Sequence, residues 1–392
     1  MNYLNALIFY PTLLVFVFLA FQAIYLFVFS LAGRINSLPM APEREDTGSF
    51  VIYIPSYKED AVIIDTALAA LALNYPENKK HIVVIADSLK PETLITLHSL
   101  PIQVVEVSFD KSTKAKALNV ALQQTANSYD YALVLDADNI CAADFLLRMN
   151  DALQCGYRVV QGQRIAKNTG TNYALLDAVS EGINNHIFRK GHRALGLSCA
   201  IIGSGMALDF DLFKTIMPEI TAVGGFDKEM ELRLLKQRIQ FGYAENAIVY
   251  DEKVTQLSTL QNQRRRWLSA QLNYMKKYAG EGFVQLLKGN FDFFDKVIQT
   301  LLLPRLILLG ITPVTFILSV FHGHSLPPVY WFLLWIITYI AILLAIPLQY
   351  FNKRLFKAVL HLPIAFFTIF KLFFKLRNAN RTFIHTPHGT LK

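Results

Sequence analysis

The chain has 392 residues, enough for one large domain or two modest ones. Hydrophobic residues make up 53% and charged residues only 17%, with a mean hydropathy of +0.32. Soluble domains carry about 25% charged residues, so intrinsic disorder is excluded and the composition argues against a purely cytosolic enzyme. On so apolar a chain a net charge of +8 reads as attraction to a membrane surface before nucleic-acid binding. Cys141, Cys155 and Cys199 lie far apart, give neither a zinc spacing nor a disulfide framework, and suit a reducing compartment.

In chain order, the first element is an uncharged stretch from Leu4 to Ala32, rich in Leu, Val, Phe and Ile. About 20 apolar residues span a bilayer. Nothing basic precedes the stretch and Arg34 follows it, so residues 1–34 predict an uncleaved transmembrane helix, N-terminus outside and Arg34 inside. Residues 35–47, with Pro39 and Pro42, read as a linker.

Residues 48–280 carry most of the charge. Apolar runs at 50–54, 81–85, 103–107 and 131–135 alternate with helix-like stretches at 60–73, 91–100 and 113–125. That alternation predicts an α/β domain on a mostly parallel sheet with helices on both faces. Ligands then bind beyond the carboxyl ends of the strands. Those ends read Pro55-Ser-Tyr-Lys-Glu59, Ala86-Asp87-Ser88 and Asp136-Ala-Asp138-Asn139. There is no G-x-G-x-x-G after the first strand and no G-x-x-x-x-G-K-[ST], so the dinucleotide oxidoreductase and P-loop readings both lose their main support.

Beyond a membrane-proximal segment (281–297), residues 298–352 predict a two-helix transmembrane hairpin. Leu306 to Asn352 lacks any charge, and Phe321–Val329 is its turn. Arg305, Lys353 and Arg354 place both flanks in the cytosol. In 353–392, Phe366, Phe367, Phe370, Phe373 and Phe374 interleave with Lys371, Lys375 and Arg377. This reads as an amphipathic interfacial helix, or a third spanning helix after the domain, before a cytosolic tail.

Several motifs carry chemistry. Asp136 and Asp138, on a turn after a buried strand, can approach one hard cation shared with phosphate oxygens, Mg²⁺ or Mn²⁺. Lys114 and Lys116 open a helix against its dipole, an arrangement that suits a nearby anion. Gly203-Ser204-Gly205 reads as a close backbone approach or a packed turn. Asp227 is a candidate helix N-cap, and Glu229 and Glu231 follow in the first turns; each also reads as a general base facing a pocket. In Gln263-Arg-Arg-Arg-Trp267, helical spacing puts Gln263, Arg266 and Trp267 on one face. Arg is a bidentate donor to diphosphate, and Trp is a flat surface for a sugar or base.

Taken together, P-S-Y-K-E, A-D-S, K-A-K-A-L-N, D-A-D, G-S-G, an acidic helix start and Q-R-R-R-W resemble the family 2 inverting glycosyltransferases of GT-A fold. They are most similar to the membrane-embedded branch of cellulose, hyaluronan and poly-N-acetylglucosamine synthases. The resemblance covers about residues 48–270. It implies a Rossmann-like GT-A domain in the cytosol, flanked by transmembrane helices in the plasma (inner) membrane. It implies that Pro55, Tyr57, Glu59 and Asp87 line the nucleotide base and ribose, and that Lys116 contacts the nucleotide or its phosphates. Asp136 would hold ribose or donor sugar, with Asp138 on the metal. Gly203, Ser204 and Gly205 would border the acceptor, with Gln263, Arg266 and Trp267 closing over diphosphate and acceptor. Lys58 stands where the family has Asn, and Ala86 where it has Asp. Counting back from Leu232 puts Glu229 at the base position, with Asp227 and Glu231 as alternatives.

The implied activity is transfer from a UDP- or GDP-sugar to a glycan or lipid-linked acceptor, by processive synthesis or by single addition. A catalytically inactive membrane scaffold of the same fold is the alternative of another class. Expected partners are the nucleotide-sugar donor, the acceptor, membrane lipid, and a partner subunit or second copy. Nucleic acid is not expected, because the basic residues cluster beside apolar helices, where anionic lipid is nearer.

Overall fold

The computed structural model describes residues 3–35, 42–125, 128–222, 224–253, 257–321, 326–363, 366–367 and 370. The turn residues 322–325 and the tail 371–392, including Phe373, Phe374 and the following basic residues, lie outside that set. The described chain divides into two compact units, one within 39–169 and 197–300, the other within 1–38, 170–196 and 301–376.

The first unit is built on an eight-stranded sheet. Its strands are β1 (Phe50–Tyr57), β2 (Lys80–Asp87), β3 (Gln103–Val107), β4 (Tyr131–Val134), β5 (Ile140–Cys141), β6 (Val159–Ala166), β7 (Met206–Asp209) and β8 (Phe241–Asp251). They lie in the order β3-β2-β1-β4-β7-β6-β8-β5. The β3-β2-β1-β4 half is parallel throughout, as the apolar runs predict. The other half is mixed. β7 runs antiparallel to both β4 and β6, β6 and β8 are parallel, and the short β5 is antiparallel to β8.

Continuous Val and Ile runs form these strands because both faces are covered. On one face Val51, Tyr53, Val83 and Ile85 pack with Leu118 of α4 (Lys114–Gln124), Phe213 of α8 (Phe210–Ile216) and Leu232 of α9 (Phe226–Lys236). On the other, Ile52, Ile54 and Val84 meet Ile63 of α2 (Ile63–Leu71), Leu97 of α3 (Pro91–His98), and Leu146 and Met149 of α5 (Phe145–Gln154). The long α10 (Leu257–Leu287) and the short α11 (Phe291–Gln299) complete the unit.

The strand ends carry local strain. Lys58 and Ser88, just past β1 and β2, have φ of 56° and 60°, and Lys58 N–H donates to Asp87 O at 3.1 Å. Asn tolerates this left-handed conformation and Lys does so poorly. The departure at residue 58 therefore falls on a backbone that favours the replaced residue.

The second unit holds α1 (Tyr3–Ile35), then α6 (Asn172–Asn184), which continues through a π-helical stretch (Asn185–Gly191) into α7 (His192–Ala194). It also holds α12 (Arg305–Phe321), α13 (Pro328–Ala345) and α14 (Lys353–Val359). Leu7–Ile35 and Pro328–Ala345 are long and apolar enough to cross a membrane, and Arg305–Phe321 is apolar but shorter. α1 and α13 run parallel. Phe16 meets Trp331 edge-on at 5.1 Å near one end. Near the other, Arg34 donates to Leu344 O at 2.6 Å and Ile346 O at 2.7 Å. α12 returns antiparallel, with Phe316 against Phe332 and Tyr339 OH on Leu309 O.

One backbone feature of the first unit is unforgiving. Gly205 has φ of +58°, and a Cβ there would lie 2.6 Å from Val249 Cγ1. Left-handed strain and overpacking add. Gly205→Ala should lower stability by roughly 2–4 kcal/mol, read as the loss in thermal midpoint in detergent, whereas Gly156→Ala, with open space around it, should cost only the strain.

Candidate active site

The carboxyl ends of β1 and β2 bring the first group of expected residues together. Tyr57 is directly opposite Asp87 in the parallel register, and Pro55 lies opposite Ile85. Asp87 and Glu59 are buried, and Ser88 Oγ donates to Asp87 Oδ1 at 3.0 Å. The Glu59 carbonyl accepts from Val62 and Ile63 N–H and so starts α2. Beside them opens a cleft of about 700 Å³, lined by Tyr57, Lys58, Ser88, Phe109, Lys111, Lys116, Asn119, Thr221 and Ala222, among others.

The D-A-D turn follows β4. Asn139 closes it, accepting from Asp136 N–H at 3.0 Å while its own N–H donates to Asp136 O. Asp138 is only 6% exposed; its Oδ2 accepts from Glu252 N–H at 3.0 Å. Ser204 Oγ donates to Asn139 Oδ1, so the G-S-G segment is tied to this turn. Gln161, fully buried on β6, donates to Ser204 O at 2.9 Å and Gly205 O at 3.0 Å and accepts from Ile202 N–H. Gly203 has φ of +74°, and a Cβ there would sit 2.8 Å from the Phe226 ring and 3.2 Å from Asp227 Cβ. Strand end, G-S-G turn and α9 start thus meet at van der Waals distance.

The two lysines of α4 separate. Thr113 caps the helix, its side chain accepting from Lys116 N–H. Lys114 Nζ reaches the D-A-D turn, pairing with Asp136 Oδ1 at 2.5 Å and donating to Gly203 O at 2.7 Å. Lys116 Nζ instead donates to Lys111 O at 3.0 Å and faces the cleft beside Phe109. The cation at the acidic turn is therefore Lys114, and its charge at a helix N-terminus is offset by Asp136.

The three acidic candidates on α9 also separate. The helix begins after Gly225, which is left-handed at φ 74° and provides no side-chain cap, so Asp227 lies inside the first turn rather than at the N-cap. Glu229 is 1% exposed. Its Oε2 accepts from Thr221 N–H at 3.2 Å and Ala222 N–H at 2.9 Å, and its Oε1 pairs with Arg233 at 3.1 Å and Lys277 at 3.2 Å. Burial raises its carboxyl pKa, but the Lys277 and Arg233 bonds outweigh that and hold it below the ordinary value. Glu231 is fully buried, accepting from Ile201 N–H and pairing with Lys228. Asp227 is partly exposed, and desolvation pushes its carboxyl up, with Glu231 adding to the rise and Lys228 and Lys114 opposing it. Only Asp227 combines a raised carboxyl with a place beside Gly203.

On α10, Arg266 lies within electrostatic reach of both Asp136 and Asp227; burial lowers its guanidinium pKa against their opposing pull. Gln263 Oε1 is buried without a hydrogen-bond partner among the described residues, an acceptor whose desolvation costs about 1–3 kcal/mol until a donor arrives. Trp267 is 40% exposed, with the Arg264 guanidinium 4.7 Å from its ring centre.

The carboxylates that could hold a divalent cation are Asp138 and Asp136, the latter paired with Lys114. Among the described residues no three His, Cys, Asp or Glu side chains cluster as a closed cage. Asp136 and Asp138 offer hard oxygens from one turn, the number Mg²⁺ or Mn²⁺ takes when substrate phosphates fill the remaining positions.

The sequence reading passed over Asn139 and Gln161, and Glu252, whose backbone caps Asp138. Gln161 could have been found as a polar residue interrupting the apolar run Val159-Val160. Glu252 follows β8 in Tyr250-Asp-Glu-Lys253, another acidic strand end.

A model of the glycosyltransferase-like family 2 matches residues 48–270. The chain belongs to this family. Among its relatives, the cellulose synthase catalytic subunit (UDP-forming) of Komagataeibacter sucrofermentans is 31% identical over 112 residues, 28% of this chain and 15% of that protein. The poly-β-1,6-N-acetyl-D-glucosamine synthase of Staphylococcus aureus is 29% identical over 147 residues, 37% of this chain and 34% of that protein. The matches thus span about a third or less of each relative's length. The mannosyltransferase PcManGT from Pyrobaculum calidifontis, solved with GDP-Man and Mn²⁺, superposes with a TM-score of 0.56 at 14% identity, covering 86% of this chain and 96% of that one. That likeness bears on the fold, which is the GT-A arrangement of a family 2 glycosyltransferase.

The depressed Glu229 carboxyl has a consequence for stability. A carboxyl lowered on folding adds stability above its unfolded pKa and loses it as pH falls through the folded one. Arg233 and Lys277, the cations facing it, stay in partial contact with water. Glu229→Gln should therefore cost about 1–3 kcal/mol at neutral pH, below the value for a fully buried pair. Thermal midpoints should converge with the wild type as pH falls below the carboxylate range; a constant gap at all pH values would contradict the ion-pair account.

Proposed function

We propose that this protein is a membrane-bound inverting glycosyltransferase that moves a sugar from a UDP- or GDP-sugar to an acceptor hydroxyl. The observation that carries the reading is the gathering of Asp227, Lys114 and Asp136 around Gly203, with Arg266 within electrostatic reach of both carboxylates. A desolvated carboxyl whose pKa is raised above its ordinary value is suited to take a proton, and two cations beside it suit a departing diphosphate. In this reading Asp227 replaces Glu229 as the general base, because Glu229 is already committed to two backbone donors and two cations.

Asp227 takes the proton of the acceptor hydroxyl as its oxygen attacks the anomeric carbon. The bond to the diphosphate oxygen breaks on the opposite face, so an α-linked donor gives a β-linked product. Lys114 and Arg266 offset charge growing on the leaving diphosphate. Asp136 and Asp138 would hold a divalent cation that neutralises diphosphate charge when bound. Pro55, Tyr57, Glu59 and Asp87 would line the nucleotide and Lys116 its cleft wall. Ser204 and the flanking glycines set the floor of the site. Gln263 supplies an unused acceptor for a sugar hydroxyl, and Trp267 an apolar face.

The names of the sequence relatives favour polymer extension, with a glycan as acceptor. The parallel α1 and α13, the antiparallel α12, and Arg34, Arg305 and Lys353 gathered at one end of them support insertion in the inner membrane with that end cytosolic.

Nucleoside-diphosphate release from a panel of sugar nucleotides with Mn²⁺ tests the reading on detergent-purified protein. Release from one donor, with a product ladder on sizing, is expected; no release under any acceptor condition would leave the inactive scaffold. Asp227→Asn should lower turnover about 10²–10⁴-fold with donor binding and thermal midpoint retained. The acidic limb of the wild-type pH–rate profile should lie above the ordinary aspartate range, set by Asp227 among Lys228, Glu231, Lys114 and Arg266. Lys114→Met should weaken donor binding more than Lys116→Met does.

A further inference from the structure

Glu229 joins three elements that border the proposed site. Thr221 and Ala222, whose N–H groups it accepts, form part of the wall of the 700 Å³ cleft. Its own helix presents Asp227 two residues earlier. Lys277 pairs with it from α10, the helix that carries Arg266. Lys277 follows Arg266 by three helical turns and so lies on the same face. Between them that face is pressed against the start of α9. A Cβ on Gly225 would lie 3.3 Å from the Tyr274 ring and 3.5 Å from Ala270 Cβ, and Tyr274 OH donates to Gly225 O at 3.0 Å. Arg233, the other cation on Glu229, differs in kind. It sits one turn along the same helix and its second ion pair is with the surface residue Glu219; toward α10 it has, among the described residues, only electrostatic interactions with Tyr274 and Tyr278 and no hydrogen bond or ion pair.

We propose that Glu229 is a positioning residue, whose carboxylate locks the cleft wall at Thr221–Ala222, the helix start bearing Asp227 and the helix bearing Arg266 into one frame. The inference rests on the glycosyl-transfer reading of the site. Near-attack geometry tolerates little error, and a displacement of about 1 Å can cost 10²-fold. The function of the Glu229–Lys277 pair is then alignment across elements, and that of Glu229–Arg233 is stability within one.

The test compares Lys277→Met, Arg233→Met, Glu229→Gln and the Glu229→Gln/Lys277→Met double variant in the full-length protein. Each is assayed for nucleoside-diphosphate release, with kcat/KM expressed per molecule competent to bind nucleotide and thermal midpoints measured in parallel. Lys277→Met should lose about 10–100-fold in kcat/KM while keeping a near wild-type thermal midpoint, since its ammonium is half exposed. Arg233→Met should lose thermal midpoint but keep wild-type kcat/KM per folded molecule. The double variant should be no worse than the poorer single one. In Glu229→Gln the acidic limb of the pH–rate profile should persist, since it belongs to Asp227. Equal effects from Lys277→Met and Arg233→Met would overturn the proposal and leave Glu229 a stabilising group. Loss of the acidic limb in Glu229→Gln would overturn it in favour of Glu229 as the base. An inactive wild type, or Asp227→Asn at wild-type rate, marks failure of the underlying reading and removes the proposal with it.

Discussion

The site depends on a backbone contact that admits no side chain. Gly203 and Gly205 both have positive φ, and neither has room for a Cβ, one against Phe226 and the other against Val249. Between them Ser204 is fully buried and hydrogen-bonded to Asn139. The turn thereby touches the D-A-D loop, the start of α9 and β8 at once. Gln161 fixes it from below by donating to two of its carbonyls and accepting from Ile202 N–H. Glycine carries an entropic cost in such a segment, and that cost is accepted here because close approach is the only way to bring elements from both halves of the sheet to one point.

The same contact organises the charges. Lys114 spans from α4 to Asp136 and to the Gly203 carbonyl, so its position is fixed before any ligand arrives. Arg266 reaches the same region from α10, where burial and two carboxylates act on its guanidinium in opposite directions. Cations held in place by partners need little reorganisation when negative charge develops nearby, which is the origin of their value in a transition state. Asp227 is neighbour to both and desolvated. Glu229 and Glu231, one turn on, are saturated with donors and cations instead. Three carboxylates within five residues thus acquire different chemistry from their surroundings alone.

Legibility in the sequence followed from how local each feature is. The parallel half, β1 to β4, was readable because its strands are unbroken apolar runs separated by helical spacing, and the rule that ligands sit at carboxyl strand ends pointed to Tyr57, Asp87 and Asp136. The mixed half was not. β6 contains Gln161, Gln163 and Arg164, and β8 contains Glu245 and Asn246, with the ladder between them shifted at Gly162/Gln163. Their polar residues serve the G-S-G turn and the strand's far end, so the apolar pattern is interrupted for tertiary reasons. The choice between Lys114 and Lys116 was hidden for a similar reason. Both precede an apolar helix face, and which of them reaches Asp136 is settled by the rotation of α4 on the sheet. Counting back from Leu232 identified Glu229, but where α9 begins decides what each acid faces. A left-handed Gly225 places Asp227 inside the first turn, beside Gly203, and turns Glu229 toward Thr221 and Lys277.

The second unit obeys the same logic of completing exposed polar groups. α13 ends with carbonyls that no further helical turn can satisfy, an expensive situation in an apolar medium. Arg34, the last charged residue of α1, donates to Leu344 O and Ile346 O and brings a cation to a helix C-terminus, where the dipole favours it. Arg305 begins α12, where the dipole disfavours a cation, and it is compensated by hydrogen bonds to the Ser180 carbonyl and hydroxyl of α6. Gln22, buried on α1, accepts from Leu303 N–H just before that helix. These bonds all join α1 or α6 to the ends of α12 and α13. The N-terminal helix is therefore part of a packed bundle with C-terminal helices nearly 300 residues away in sequence, Gln22 and Leu303 being 281 residues apart, rather than an appended anchor. A sequence read one apolar segment at a time identifies the segments; the polar groups at their ends determine which segments belong together.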